Sequence, residues 1–191
     1  MLVLIVVVLG LMLLSLIYGI SIYNNLVQIK HNVSTAWANI DVLLKQRHDE
    51  LPKLIETCKQ YKEFEQATLE RVTEARNLVQ QARERGDVQG LGLAETALRS
   101  GLGQVFAVVE AYPDLKANQQ FMQLLQRVST LEDAIADRRE LYNDSVNINN
   151  VRIEQFPDSI VAGMFSFRRA QLLRFDAEEK RDVDFKQLFN S

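Results

Sequence analysis

The chain has one cysteine, two histidines, three prolines and eight glycines in 191 residues. The single Cys58 excludes an internal disulfide and a cysteine-ligated metal cluster, and on an apolar stripe it reads as a small buried hydrophobe. Scarcity of histidine excludes more. A dinuclear metal site in a helical bundle wants Glu-x-x-His pairs, yet the residues three before His31 and His48 are Gln28 and Lys45. The HExxH, P-loop and GxSxG patterns are also missing. His48-Asp49-Glu50, with one imidazole at a helix junction, reads as exposed or capping rather than as a ligand set. Nor is there a basic excess. The 22 Lys and Arg and 25 Asp and Glu are interspersed for a net charge of −3, which argues against nucleic acid as the main ligand. These absences point to a non-enzyme with no catalytic residue, cofactor or metal. With few glycines and prolines, and no Val/Ile/Thr alternation beyond the first segment, the expected class is all-α.

What the chain does have is one long apolar run. Leu2 to Ile20 reads LVLIVVVLGLMLLSLIYGI, and the first charged side chain is Lys30. About 20 apolar residues in a helix cross a bilayer core of about 30 Å. A cleaved secretory signal would want a basic lead, a shorter run and a small-x-small cut site; nothing basic precedes the run, and Tyr18 to Tyr23 offers no such site. An uncleaved single-pass transmembrane helix over residues 1–22 is expected, in the cell (inner) membrane. Lys30, Lys45, Arg47 and Lys53 follow it, which favours a cytoplasmic over a periplasmic body because basic flanks stay inside.

Beyond the anchor, apolar residues recur at three-four spacing. Leu26, Ile29, Val33, Ile40 and Leu44 form one stripe, and no glycine or proline interrupts Ser21 to Leu51. A stop is expected at Arg47-His48-Asp49, with Asp49 capping a second helix of about residues 50–84 that holds Pro52 in its first turn. Gly86-Asp87 with Gly90 and Gly92 are expected to form a turn, and a third helix near residues 93–111 follows and is broken by Tyr112-Pro113-Asp114. A fourth covers about residues 115–154 and ends at Phe156-Pro157-Asp158, with Asp158 or Ser159 capping a short last segment. Short links between long helices predict an up-down-up-down antiparallel four-helix bundle with coiled-coil-like seams. The expected divisions are 1–22 transmembrane anchor, 23–155 bundle, 156–175 amphipathic, interfacial segment and 176–191 tail.

Several of these stretches together are similar to one known family. Tyr23-Asn24-x-Leu26-Val27, then Ala36-Trp37-x-x-Ile40-Asp41-Val42-x-Leu44-Lys45-x-Arg47-His48-Asp49 with Pro52, resemble the opening of the LemA family. So do Thr73-Glu74-Ala75-Arg76, the run Glu110 to Asn118, Arg139-x-x-Tyr142-Asn143-x-x-Val146, and Phe156-Pro157-x-x-Ile160-Val161-Ala162-Gly163-Met164-Phe165-x-Phe167. The likeness covers about residues 22–168; Glu50, Lys53 and Phe64 depart from the family pattern. The resemblance implies an amino-terminal anchor and a helical bundle. It brings no activity, because the family has no settled molecular function.

Three groups of residues stand out as candidate sites. Glu65, Glu132 and Arg139 fall on the inner seams, where buried charges need partners; they read as a register-setting ion pair or as a polar face for another subunit. Tyr23, Ile160, Met164, Phe165, Phe167, Arg168 and Arg169 suit the membrane interface, with arginines at lipid phosphates, although 160–169 packing on the bundle is an equal reading. Phe175, Phe185, Leu188 and Phe189 give the tail an apolar character suited to self-association. The expected function is a non-enzymatic membrane-organising scaffold that contacts the lipid bilayer, forms a homo-oligomer and holds other membrane proteins. The alternative is a membrane-tethered adaptor or sensor that binds one membrane or envelope protein through the bundle or tail.

Overall fold

The computed structural model describes residues 1–175, which form α-helices and, among the described residues, no strand. In order these are α1 (Leu2–Cys58), α2 (Gln66–Arg85), α3 (Val88–Ala111), α4 (Pro113–Ala117), α5 (Gln119–Glu154) and α6 (Asp158–Met164).

The break expected at Arg47-His48-Asp49 does not occur: α1 runs on through Pro52 to Cys58. A proline inside a helix orphans the carbonyl four residues earlier, here that of His48. Arg76 on α2 donates its Nε–H to that oxygen at 2.9 Å, so the group is satisfied from outside the helix and the chain need not turn. Asp49 is therefore an exposed residue within α1 rather than a cap.

The turn comes later, at residues 59–65, where no glycine or proline marks it. Tertiary packing decides it. Phe64 is buried, and the rings of Tyr61 and Phe64 lie 6.1 and 6.2 Å from that of Phe121 on α5. Asn118 ties the same corner. Its side-chain N–H donates to the Tyr61 hydroxyl at 2.5 Å, while its side-chain oxygen accepts from Phe121 N–H at 3.1 Å and caps α5.

The α2–α3 turn falls at Gly86-Asp87 as expected, but it is shorter: Gly90 and Gly92 lie inside α3, which starts at Val88 rather than near residue 93. Gly86 adopts φ 64°, a left-handed conformation that favours glycine at a helix C-terminus, and Asp87 accepts from Gly90 N–H at 2.9 Å to cap α3. At the other end of the chain, Asp158 is the first residue of α6 and buried, so it is not the cap expected there; Pro157 precedes the helix without a side-chain cap.

The described chain divides into two compact units. One comprises Met1–Ala38 and Glu140–Leu172, the other Asn39–Arg139 with residues 173–175. In the second, α2 packs on α3 so closely that a Cβ on Gly101 would meet Val72 Cγ2 at 2.8 Å. Its core is built from apolar residues at three-four spacing: Leu44, Leu51, Leu54 and Cys58 on α1, Val72 and Val79 on α2, Leu98, Leu102 and Val105 on α3, and Leu125 and Val128 on α5. Gly92 is buried where a side chain would run into the Arg174 carbonyl. In the first unit, Ile22, Leu26 and Ala162 form a buried cluster, flanked by Ile153, Val161 and Phe167. Trp37 meets Tyr142 with ring centroids 5.4 Å apart.

Candidate functional site

The first unit carries the longest apolar surface of the described chain. An 18-residue window of α1 has mean hydropathy 2.9 and none of it is buried. Just past that run, Tyr23 lays its ring 4.6 Å from Phe165 and 6.0 Å from Phe167. Phe156, Ile160, Met164 and Phe165 are exposed at 77, 56, 75 and 56 %, an apolar display on and beside a short helix. Phe167 is half-buried against Ile22 and Leu26, while Arg168 and Arg169 are exposed. Arg169 pairs with Glu154 at 3.1 Å. Arg152 reaches the buried Asp158 at 2.8 Å as an ion pair, and Asn25 on α1 at 3.1 Å.

An extended strap over residues 168–171 is clipped to α5 by side chains. Asn150 donates to the Ala170 carbonyl at 3.0 Å and accepts from Ala170 N–H at 2.9 Å. Asn149 donates to the Arg168 carbonyl at 3.3 Å, and the Tyr142 hydroxyl to that of Gln171 at 2.8 Å. Burial moves the Tyr142 phenol above its ordinary pKa, so it stays a donor. Sequence reasoning missed this strap. Its signal is the amide-rich run Asn147 to Asn150 on a helix, where such residues otherwise compete with the backbone.

The second unit holds a buried charge cluster. Arg47, 1 % exposed, contacts Glu95 and bonds Glu132 at 2.7 Å, and Arg99 approaches Glu132 at 3.7 Å. Burial alone would lower the Arg47 pKa, but the two carboxylates outweigh it and hold the guanidinium charged. For Glu95 burial outweighs the attraction of Arg47, and its pKa is raised; its second oxygen has no hydrogen-bond partner. A raised pKa means the folded state holds this proton longer than the unfolded chain does. The resulting stability is full below the ordinary carboxylate range and is lost as pH rises through the folded-state value. Glu95→Gln is accordingly expected to flatten the fall in thermal midpoint on going up from pH 4 in a melting series; a variant profile parallel to wild type would contradict this.

Of the three polar seam candidates, Glu132 lies in this cluster. Glu65 does not lie on an inner seam: it is exposed and precedes α2 as its N-cap, without a side-chain capping bond. Arg139 is half-buried and stacks its guanidinium 4.0 Å over the Phe175 ring. Phe185, Leu188 and Phe189 lie outside the described residues. His48 approaches Arg76 at 2.7 Å, and burial together with that guanidinium lowers its pKa. Burial pushes the Cys58 thiol up to about 12. Among the described residues no group of three His, Cys, Asp or Glu is placed to hold a metal ion.

The sequence profile of the LemA family matches residues 36–186. The chain belongs to the LemA family. Protein LemA of Metamycoplasma hominis is 27 % identical over 169 residues, 87 % of this chain and 75 % of that protein. Magnetosome protein MamQ 2 of Paramagnetospirillum magneticum is 31 % identical over 108 residues, which is 54 % of this chain and 39 % of that one. Magnetosome protein MamQ of Magnetospirillum gryphiswaldense is 30 % identical over 78 residues, 41 % of this chain and 29 % of its own length. The chain thus spans well under half of these MamQ sequences.

The LemA-like motifs fall on the structural devices just described. Arg47 centres the charge cluster, Arg76 satisfies the carbonyl that Pro52 orphans, Asn118 fixes the turn before α5, and Tyr142 clips the strap. The motif from Phe156 to Phe167 supplies both the apolar display and the contacts to α1.

Proposed function

We propose that this LemA-family chain is a non-enzymatic, single-pass membrane protein that self-associates side by side and organises membrane or other membrane proteins. The observation that carries the reading is the wholly unburied apolar window of α1. A helix with that composition and no protein covering wants hydrocarbon around it. The exposed Ile160, Met164 and Phe165 beside Tyr23 continue the apolar surface to the level where a bilayer would meet water. The most thoroughly buried charges are closed off from solvent, as suits a rigid body rather than a reaction site. We read the helices beyond the anchor as a four-helix bundle and place it on the cytoplasmic side.

Two measurements test this. Light scattering of the full chain in detergent should give a mass of several copies; a monomer at every concentration would end the scaffold reading. For the interface, Ile160→Glu with Met164→Glu should speed amide hydrogen exchange over residues 158–164 by about tenfold in lipid nanodiscs, since both side chains would leave the bilayer. Unchanged exchange would remove α6 from the membrane contact.

A further inference from the structure

We propose that a cavity in the first unit, immediately beyond the span, binds the phosphate headgroup of an anionic phospholipid. This rests on the anchor reading above and adds a ligand to it. The cavity, of about 690 Å³, lies between α1, the strap after α6 and α5. Its lining includes the aromatic rings of Tyr23, Phe165 and Phe167, Asn149 from α5, and the basic side chains of Lys30 and Arg168.

Three features select the ligand. The first is charge: the lining carries Lys30 and Arg168 and no carboxylate. Arg169, next in sequence, is engaged by Glu154, whereas among the described residues neither Lys30 nor Arg168 has an ion-pair partner.

The second is depth. Lys30 lies seven residues past Tyr23, about 10 Å along a helix, and helical side chains lean toward the N-terminus. Its ammonium can therefore reach back toward the headgroup zone, which adds roughly 5–8 Å to each side of the hydrocarbon core. Arg168 belongs to the strap, whose backbone is clipped at that residue by Asn149, so its position is fixed rather than carried on a free tail.

The third is mixed chemistry. Aromatic rings and cations lining one cavity match the glycerol-phosphate region of a lipid, where apolar chain and anion adjoin. A freely dissolved phosphate would have no use for the aromatic rings.

The test is native mass spectrometry of the full chain released from detergent containing equimolar dioleoyl phosphatidylglycerol and dioleoyl phosphatidylcholine. Wild type is expected to retain phosphatidylglycerol about 25-fold more than phosphatidylcholine, from roughly fivefold for each of the two cations near an anionic headgroup. Lys30→Gln with Arg168→Gln should bring the ratio to within about twofold. Both residues are exposed, so circular dichroism should not change. Lys116→Gln with Arg127→Gln, an exposed basic pair in the other unit, should keep the wild-type ratio. Equal retention of the two lipids by wild type would overturn the inference. So would a preference surviving in the Lys30 and Arg168 variant, or displacement of the lipid by millimolar inorganic phosphate. Alkaline carbonate extraction of wild type separates the two failures. A chain that extracts from membranes sinks the anchor reading itself, while one that resists extraction without a lipid preference sinks this inference alone.

Discussion

Arg47→Met is expected to lower the unfolding free energy by about 3–5 kcal/mol, the cost of stranding buried charge when one ion partner is removed. The guanidinium is 1 % exposed and serves two carboxylates, Glu95 and Glu132, that are themselves buried. Without it two buried carboxyl groups lose their shared partner in a low-dielectric interior, with Arg99 left at 3.7 Å from Glu132 as the nearest cation named here. Lysine should recover only part of the loss, because an ammonium cannot fork between two carboxylates held at different angles. The triple variant Arg47→Met, Glu95→Leu, Glu132→Leu should lose far less than the single one, since apolar side chains of similar volume replace such clusters at little cost. Urea denaturation of the full chain in detergent, followed by far-UV circular dichroism, measures all three. A single-variant loss below about 1 kcal/mol would mean that the ion contacts of Arg47 are not what holds this part of the core together. It would also mean that the cluster contributes neither stability nor register.

This cluster also marks what could be read from the chain beforehand. Arg47 sits three residues after Leu44 and four before Leu51, and Glu95 four after Leu91 and three before Leu98. Both therefore occupy stripe positions and should be buried by the spacing that identified Glu132. Weight given to a supposed helix stop at Arg47-His48-Asp49 hid the first. What hid Glu95 was reading its helix as a run of apolar residues alone. Glu65 was misplaced for the opposite reason. The seam was carried across residues 59–65 as though the helix were unbroken, and the turn there depends on Tyr61 and Phe64 packing against Phe121, some 57 residues away from Phe64.

The helical class and the turns at Gly86, Tyr112-Pro113 and Phe156-Pro157 were legible because each is a local matter of spacing and breakers. Pro52 was misread because its consequence is settled by a donor on another helix. The same holds for the strap after α6, which has no periodicity and is placed by Tyr142, Asn149 and Asn150. The register of α5 on α1 is another such case: Tyr142 meets Trp37, while Arg152 on the same helix meets Asn25. Ends of helices fix such registers, and those ends were the part that tertiary contacts decided.

Leu9→Arg with Leu13→Arg should abolish stable membrane attachment while leaving the helical signal of the body intact. Leu9 and Leu13 are 60 and 59 % exposed, and no packing among the described residues depends on them. Two arginines near the middle of a span raise the cost of insertion by about 5–7 kcal/mol at 2.5–3.5 kcal/mol each. The apolar stretch Leu2–Ile22 is about 31 Å long, so both substitutions fall near its centre, beyond easy reach of either interface for a snorkelling side chain. The readout is the share of chain resisting carbonate extraction, expected to fall from nearly all to a minor fraction. Leu9→Ala with Leu13→Ala, which removes bulk without adding charge, should remain in the membrane. If the arginine pair left extraction unchanged, α1 would be held by protein contacts rather than lipid. Recovery of wild type already trimmed near Tyr23 and free in solution would instead assign the apolar run to export, and the exposed Ile160, Met164 and Phe165 would then need a protein surface to cover them.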